Sequence, residues 1–187
     1  MNVLRKQEMT IDKVSDYRIG DQIQVGKYTA TCQKVTDSVA IFLLDQYLDK
    51  AYKMNLTRTN KGGYEASALR ATLASADFVA GDENFASIRD QLVPFGNGDL
   101  LRIPTVGEMF GNDDFYEMDN AERWELMKDR KNRIADREGE QYEWGWLQNK
   151  VRNSAAAFAS VTGTGIADSR GASNGHGVRP VFQLGGT

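Results

Sequence analysis

Several features are scarce in this chain of 187 residues, and each scarcity excludes a class of protein. Cys32 is the single cysteine, which excludes an internal disulfide and a zinc site built from cysteines; in its alternating stretch we expect a small buried thiol. His176 is the single histidine, lies between glycines and has no carboxylate nearby in sequence, so we expect a contact role rather than catalysis. No apolar run approaches the roughly 20 residues of a membrane span, so we expect no membrane insertion.

An excess of positive charge is also missing. The formal net charge is -3 and the isoelectric point is near 5.3. Proteins that bind nucleic acid usually carry a strongly basic face, so we expect no nucleic-acid partner. The basic run at 128–133 lies between acidic neighbours and is typical of a solvated helix face.

The order of predicted elements is strands, then helices, then short strands. Residues 1–17 are polar and predict an N-terminal arm, and residues 17–47 have the texture of strands. The middle of the chain predicts a helix over 64–78, a short helix after Asp82, a capped helix start at Thr105, and a helix from Asp119 to about Asp136. Further strands are predicted over 142–147, 156–162, about 164–168, and 178–184.

This segregation of strands and helices predicts an α+β fold with a mostly antiparallel sheet, two or more flanking helices and a loop-rich C-terminal third. The last strand is expected to return beside the first strands. Val178, Val181, Phe182 and Leu184 would be its buried side chains, while Pro180, which cannot donate to a ladder, suits a strand start. Arg179 is expected to make charge-assisted bonds to carbonyls or a carboxylate.

Two sets of residues could carry chemistry. Residues 113–122 gather five carboxylates, which could hold a hard cation, but the spacing does not match a calcium loop and Asp119 and Glu122 suit a helix start. Tyr142, Trp144 and Trp146 alternate, so they would share one strand face, either for stacking on a sugar or as core. We expect no metal site and no cofactor.

Four segments in order carry a family resemblance: "GGYEASALRATL" (62–73), "RIPTVGEMFG" (102–111), "YEWGWLQN" (142–149) and "GVRPVFQL" (177–184). Together they resemble a phage and bacterial domain family related to the C-type-lectin fold and to formylglycine-generating-enzyme-like proteins. Several members are variable proteins of diversity-generating retroelements, in which adenine-directed mutagenesis rewrites the segment between a Trp-Trp-Leu-Arg strand and a terminal Gly-Val-Arg-Pro strand.

The resemblance implies a single C-type-lectin-like domain over 18–187 with a variable-type binding region at about 142–177. It implies a non-catalytic, phage-encoded domain that binds a protein or glycan receptor on a host cell, located in the virion or in host cytoplasm before lysis; homo-oligomerisation stays open. The start of the sequence has no signal-peptide core. The structural anchors are Trp146, Arg179, Pro180 and Phe182. The ligand-binding side chains are Tyr142, Trp144, Gln148, Arg152, Asn153, Ser154, Ser160, Thr162, Thr164, Asp168, Ser169, Arg170, Ser173, Asn174 and His176.

The chain departs from the family pattern in two places. Its strand reads Trp144-Gly145-Trp146-Leu147-Gln148, which leaves the strand phase open. Formylglycine-generating chemistry needs a cysteine pair, which Cys32 alone excludes.

The composition of residues 152–177 bears on targeted variation. Randomising the adenines of an Asn codon cannot produce Lys, Gln, Glu, Trp or Met. None of these five occurs in 152–177, although they make up 38 of the 187 residues. Any loop rich in glycine, serine and alanine shows a similar deficit. Two other functions stay open: a carbohydrate-active enzyme that uses carboxylates near 113–122, and a structural virion module.

Overall fold

The computed structural model describes residues 16–185, which form a mixed α and β structure with more strand than helix. Every pairing between named strands is antiparallel. The strands are β1 (Gln22–Val25), β2 (Tyr28–Val35), β3 (Val39–Leu44), β4 (Tyr52–Lys53), β5 (Leu92–Val93), β6 (Gly145–Lys150), β7 (Ala157–Val161), β8 (Ala167–Gly171), β9 (Gly175–His176) and β10 (Val181–Gly185). The α-helices are α1 (Ala68–Leu73), α2 (Ala76–Gly81), α3 (Glu83–Ala86) and α4 (Val106–Phe110).

The main sheet has the order β1-β2-β3-β10-β5. The last strand therefore lies beside β3, as predicted, with Phe182 opposite Phe42 and Leu184 opposite Ala40. The Phe182 and Phe42 rings stack with their centroids 5.7 Å apart. Strand β10 lies between β3 and β5 and buries both of its faces, with Phe182 and Leu184 on one side and Val181 on the other, which accounts for its apolar composition.

A second sheet of three strands, β6-β7-β8, separates two hydrophobic clusters. Trp146 and Phe158 point into the first cluster, which also contains Phe42 and Phe182. Leu147 belongs to the second cluster, together with Leu43, Val106, Trp124, Ala159 and Val181. Because successive side chains of a strand point to opposite faces, β6 and β7 each contribute to both clusters. A third, two-stranded sheet pairs β4 with β9.

The last residue of the predicted arm packs against the core. Tyr17 is buried and packs edge-on against Phe42, with ring centroids 5.0 Å apart. The rest of the arm, apart from Asp16, lies outside the described residues.

The predicted helix over 64–78 is instead a 3-10 turn (Tyr64–Ala66) followed by α1 and α2. Two serines interrupt the predicted helix. Ser67 and Ser75 have extended backbones, and their hydroxyls accept hydrogen bonds from the N–H groups of Arg70 and Phe78. Each serine therefore caps a new helix, because a serine side chain can replace a backbone carbonyl at a helix start.

The predicted helix from Asp119 to about Asp136 is absent, while the capped start at Thr105 is confirmed. Residues 119–136 contain only the 3-10 turns Glu125–Lys128 and Arg130–Arg133. Thr105 and Glu108 form a reciprocal capping box at the start of α4. Asp119 instead accepts hydrogen bonds from the Gly107 N–H, at 3.0 Å, and from the Asn149 amide, at 2.7 Å. The carboxylate thus holds α4 against β6.

None of the helices within residues 16–185 is long and apolar enough to cross a membrane.

Candidate ligand-binding surface

Tyr47 fixes the strand phase that the Trp-Gly-Trp sequence left open. Gly145 and Gly177 form a parallel bridge, and the Gly177 N–H donates to the Trp144 carbonyl at 2.8 Å. A β-carbon on Gly145 would lie 2.4 Å from the Tyr47 hydroxyl, and one on Gly177 would lie 2.5 Å from the Tyr47 ring. Only glycine fits at both positions, because the tyrosine ring occupies the space of the missing side chains. Strand β6 therefore starts at Gly145, between the two tryptophans.

The four predicted anchor residues lie in the interior. Trp146 is 1% exposed, and its indole N–H donates to the Tyr52 carbonyl at 2.8 Å. Phe182 is fully buried, and Pro180 is buried just before β10, where its carbonyl accepts from the Leu44 N–H. Arg179 is also buried; its guanidinium donates to the carbonyls of Leu44 and Asn132. Arg179 thus ties the main sheet to the 3-10 turn Arg130–Arg133.

Arg170, Trp144 and His176 form a partly exposed stack, to which we give the name display stack. The Arg170 guanidinium carbon lies 3.6 Å from the centroid of the Trp144 ring. The Trp144 and His176 rings are nearly parallel, with centroids 6.1 Å apart. The His176 and Trp146 rings are inclined at 69° with their centroids 4.6 Å apart, so the stack packs against a buried side chain of the core. All three side chains are half-buried, which leaves part of each accessible to a partner.

His176 is held in its neutral form. Burial, together with the positive charge of Arg170, lowers the pKa of His176 to about 4. Its Nε2 atom is buried and has no hydrogen-bond partner within residues 16–185. The neutral ring can stack beside a guanidinium without charge repulsion, whereas the protonated ring would face Arg170 as a like charge.

The other predicted ligand-binding residues fall into two groups: those whose side chains make no hydrogen bond among the described residues, and those whose side chains bond to the backbone. Asn153 and Asn174 are exposed, and Ser173 is half-buried; none of the three makes a side-chain hydrogen bond in the described region. Ser154 accepts from the N–H groups of Ala156 and Ala157, and Arg152 donates to the Tyr116 carbonyl, so both brace local backbone. Asp168 and Ser169 are half-buried on edge strand β8.

Ser160 is fully buried, contrary to the prediction that it contacts a ligand. It lies in the central strand β7, opposite Trp146 on one side and Asp168 on the other. Opposed residues of an antiparallel pair share a face, so Ser160 lies beneath the side chains around it.

The turn between β7 and β8 is clamped rather than freely displayed. A β-carbon on Gly163 would lie 2.1 Å from the Tyr142 carbonyl oxygen. The Arg130 guanidinium donates to the Thr164 carbonyl, and Thr162 accepts from the Ile166 N–H at 3.1 Å. Only the Thr164 side chain is exposed among these threonines. The backbone of this turn is therefore fixed by its contacts with Tyr142 and Arg130, and we call such fixed parts of the binding region, together with the buried anchor residues, the frame. The side chain of Thr164 stays exposed at the tip of the turn.

Gln148 and the acidic segment meet at a different place, a polar cavity of about 370 Å³ that they line with Lys150 and Asn149. Gln148 donates to the Ile103 carbonyl, and Glu117 pairs with Lys150 at 2.8 Å. Among residues 16–185, no group of three or more His, Cys, Asp or Glu side chains is placed to hold a metal ion. Asp119, which also lines this cavity, accepts the hydrogen bonds from Gly107 and Asn149 that hold α4 against β6.

Sequence reasoning missed Tyr47, Asn60 and Arg130, which all organise this surface. Asn60 donates to the carbonyls of Ser154 and Ala157 and thereby closes the turn before β7. Arg130 belongs to the basic run that predicted a solvated helix face. The repeated glycines at 145, 163 and 177 were the available signal, since each marks a place where another chain segment approaches closely.

Comparison with known proteins identifies no relative: no family model, curated protein or solved structure matches this chain.

Proposed function

We propose that this chain is a non-catalytic binding domain of the C-type-lectin type, encoded by a phage, that recognises a receptor on a host cell. The observation that carries the proposal is the display stack. Trp144 lies just before β6, Arg170 in β8 and His176 in β9, and the three side chains stack in that region, with His176 packed on buried Trp146. Aromatic and arginine side chains on a rigid base are the groups that dominate binding energy at protein interfaces.

The contrast between backbone and side chains in 142–177 also supports this function. The backbone is clamped by Tyr47, Asn60 and Arg130, while Asn153, Ser173 and Asn174 make no side-chain bonds in the described region. Side chains that brace nothing can change without loss of the fold. Small polar groups beside tyrosine and tryptophan anchors are typical of surfaces that adapt to different partners.

We further propose that residues 152–177 are diversified by a retroelement. The absence of Lys, Gln, Glu, Trp and Met from this segment supports that origin. A reverse-transcriptase gene next to this one, together with a near-copy of the coding segment for residues 142–180, is the expected genomic arrangement. A neighbourhood with neither would contradict the retroelement proposal and leave the binding proposal standing.

Cell binding tests the function directly. Labelled protein is incubated with a panel of bacteria that includes the strain carrying the gene, beside the double variant Trp144→Ala/Arg170→Ala. We expect binding to at least one strain and a loss of about tenfold or more in the double variant, as for a hot-spot pair. Lys61→Gln, an exposed lysine, is the matched control and should bind like the wild type. Equal binding by the double variant, or no binding to any strain, would contradict the proposal.

A further inference from the structure

A cleft of about 440 Å³ opens between the 3-10 turn Arg130–Arg133 and the β7–β8 turn. Its volume lies in the range of sites that hold a small ligand. Its lining includes Arg130, Lys131, Ile134, Tyr142, Gly163 and Thr164. One wall therefore comes from the basic run and the other from the predicted binding region.

The segment 123–137, which supplies the wall with Arg130 and Lys131, is basic, whereas the segment 138–143 around Tyr142 contains three glutamates. Residues 123–137 contain six basic and three acidic side chains, whereas the chain has a net charge of -3. Within residues 16–185, the arginines Arg123, Arg130 and Arg133 have no carboxylate within salt-bridge distance. Burial, joined by the positive charges of Arg123 and Arg130, lowers the pKa of Arg133. Arg133 thus lies close enough to Arg123 and to Arg130 to feel their positive charges.

The carboxylate that lines the cleft and those next to Tyr142 have partners; Glu143, which follows Tyr142 in the chain, pairs with Arg137 at 3.1 Å. Asp129 lines the cleft and pairs with the Lys131 ammonium at 3.1 Å, in an exposed pair that water screens. Asp136 accepts a hydrogen bond from the Tyr142 N–H at 3.1 Å. The charged side chains in the lining, Asp129, Arg130 and Lys131, therefore leave one positive charge in excess.

Tyr142 supplies an aromatic face beside these cations. Its side chain is 70% exposed, and its backbone has φ of 57°, the only positive φ among non-glycine residues in 16–185. A bulky residue in this conformation is strained and persists only where the surroundings impose it. Here the close approach of Gly163 and the bond to Asp136 impose it. The ring is held out toward solvent by a fixed backbone.

We infer that this cleft binds an acidic saccharide, with Lys131 and Arg130 facing the anionic group and the Tyr142 ring against the sugar. This inference rests on the proposed binding function and names the ligand class. The flat ring suits the apolar face of a pyranose, and Thr164 with the Gly163 backbone offers polar partners for its hydroxyl groups. A nucleic acid or an acidic peptide would need an extended basic track, whereas this cleft is short and the chain is acidic.

The two walls differ in how they can vary. Arg130 and Lys131 lie outside residues 152–177, while Thr164 lies inside them. The anionic group would therefore meet a constant wall, and the rest of the saccharide a wall that changes from one variant to another.

The test compares 3′-sialyllactose with lactose, which differ by one acidic sugar, using titration calorimetry on the whole chain. We expect the acidic ligand to bind about tenfold more tightly at low salt, because the excess charge acts over only a few ångströms. A hexaglutamate peptide and a short single-stranded DNA serve as the other anions. Equal affinity for both sugars, or tighter binding of the peptide or the DNA, overturns the inference.

Two variants and a control locate the site. Lys131→Gln should weaken 3′-sialyllactose binding by about three- to tenfold, the effect of one partly exposed charge contact. Tyr142→Asn removes the ring but keeps a residue that tolerates positive φ, so it should also weaken binding while the protein stays folded. Lys61→Gln is the matched lysine control and should leave affinity unchanged. If Lys131→Gln and Lys61→Gln behave alike, the cleft is not the site. Cell binding that 3′-sialyllactose does not compete overturns this inference but leaves the proposed function intact.

Discussion

Trp146 and Trp144 are separated by a single glycine, yet they belong to different parts of the molecule. Trp146 is 1% exposed and donates to a backbone carbonyl inside the first hydrophobic cluster. Trp144 lies before β6, is half-buried, and has Arg170 over its ring. The glycine between them accommodates the Tyr47 ring and is the first residue of β6. The residue type alone therefore does not show whether a tryptophan belongs to the buried frame or to the partly exposed display stack. What separates the two tryptophans is the close approach of a neighbouring segment at Gly145.

The largest expected effect separates these two tryptophans. Trp146→Ala and Phe182→Ala should each destabilise the fold by about 3–5 kcal/mol, since both empty a fully packed aromatic site. Trp144→Ala should cost about 1 kcal/mol, because it removes a cation–π contact at a partly exposed position. Denaturant unfolding measures all three. A loss for Trp144→Ala as large as that for Trp146→Ala would place the display stack in the core.

Arg179 tests whether the frame depends on a buried charge. Arg179→Met keeps much of the side-chain volume but leaves the carbonyls of Leu44 and Asn132 without their donor. We expect a loss of about 2–4 kcal/mol in unfolding free energy, the range for two buried acceptors left unpaired. Arg179→Lys is the control that keeps the charge without the planar fork, and it should recover only part of the loss. Unchanged stability in the Met variant would show that these bonds do not hold the frame.

His176 makes the display stack sensitive to acid. Its pKa falls from 6.5 to about 4 in the folded protein, so folding favours the neutral ring. The stability that this contributes is complete above pH 6.5 and is lost as the pH falls toward 4. After discounting for partial exposure, we expect His176 to lower the unfolding free energy by about 1–2 kcal/mol between pH 7 and pH 4.

His176→Phe, which keeps an aromatic ring but cannot take up a proton, should lack this component. The measurement is a denaturant series at pH 7, 5.5 and 4 for both proteins. Parallel pH profiles would mean that the histidine titrates alike in the folded and unfolded states.

Sequence patterns predicted the sheet well because they depend on local periodicity. The alternation in residues 28–35, the apolar run in 38–48 and the terminal strand all became strands of one sheet, with the last strand beside β3. The capping box at Thr105 was also predictable, because its donors and acceptors lie within four residues. Burial of Cys32 followed from the same alternation.

The errors have a common physical origin in long-range contacts. Asp119 has the sequence of a helix cap and its Oδ1 accepts from the Ala121 N–H, but its Oδ2 is bound by the Gly107 N–H and the Asn149 amide, and no helix follows. Ser160 has the composition of a surface loop, but pairing on both sides makes β7 a central strand. The Arg130–Thr164 contact joins residues 34 positions apart, and no local pattern specifies it. The strands and turns of the C-terminal third could therefore be predicted from the sequence. Which of its side chains are exposed and make no hydrogen bond could not.

The smallest expected effect concerns two side chains that brace nothing. Asn153 and Asn174 are exposed and make no side-chain hydrogen bond within residues 16–185. Asn153→Ala and Asn174→Ala should each change the unfolding free energy by about 0.5 kcal/mol or less, as at most surface positions. Ser154→Ala is the matched control from the same turn. It should cost about 1 kcal/mol, because its hydroxyl accepts from the Ala156 and Ala157 N–H groups, as a cap does. If the asparagine variants lose as much stability as Ser154→Ala, the exposed side chains of this region also belong to the frame, and the distinction between frame and display fails where it should be clearest.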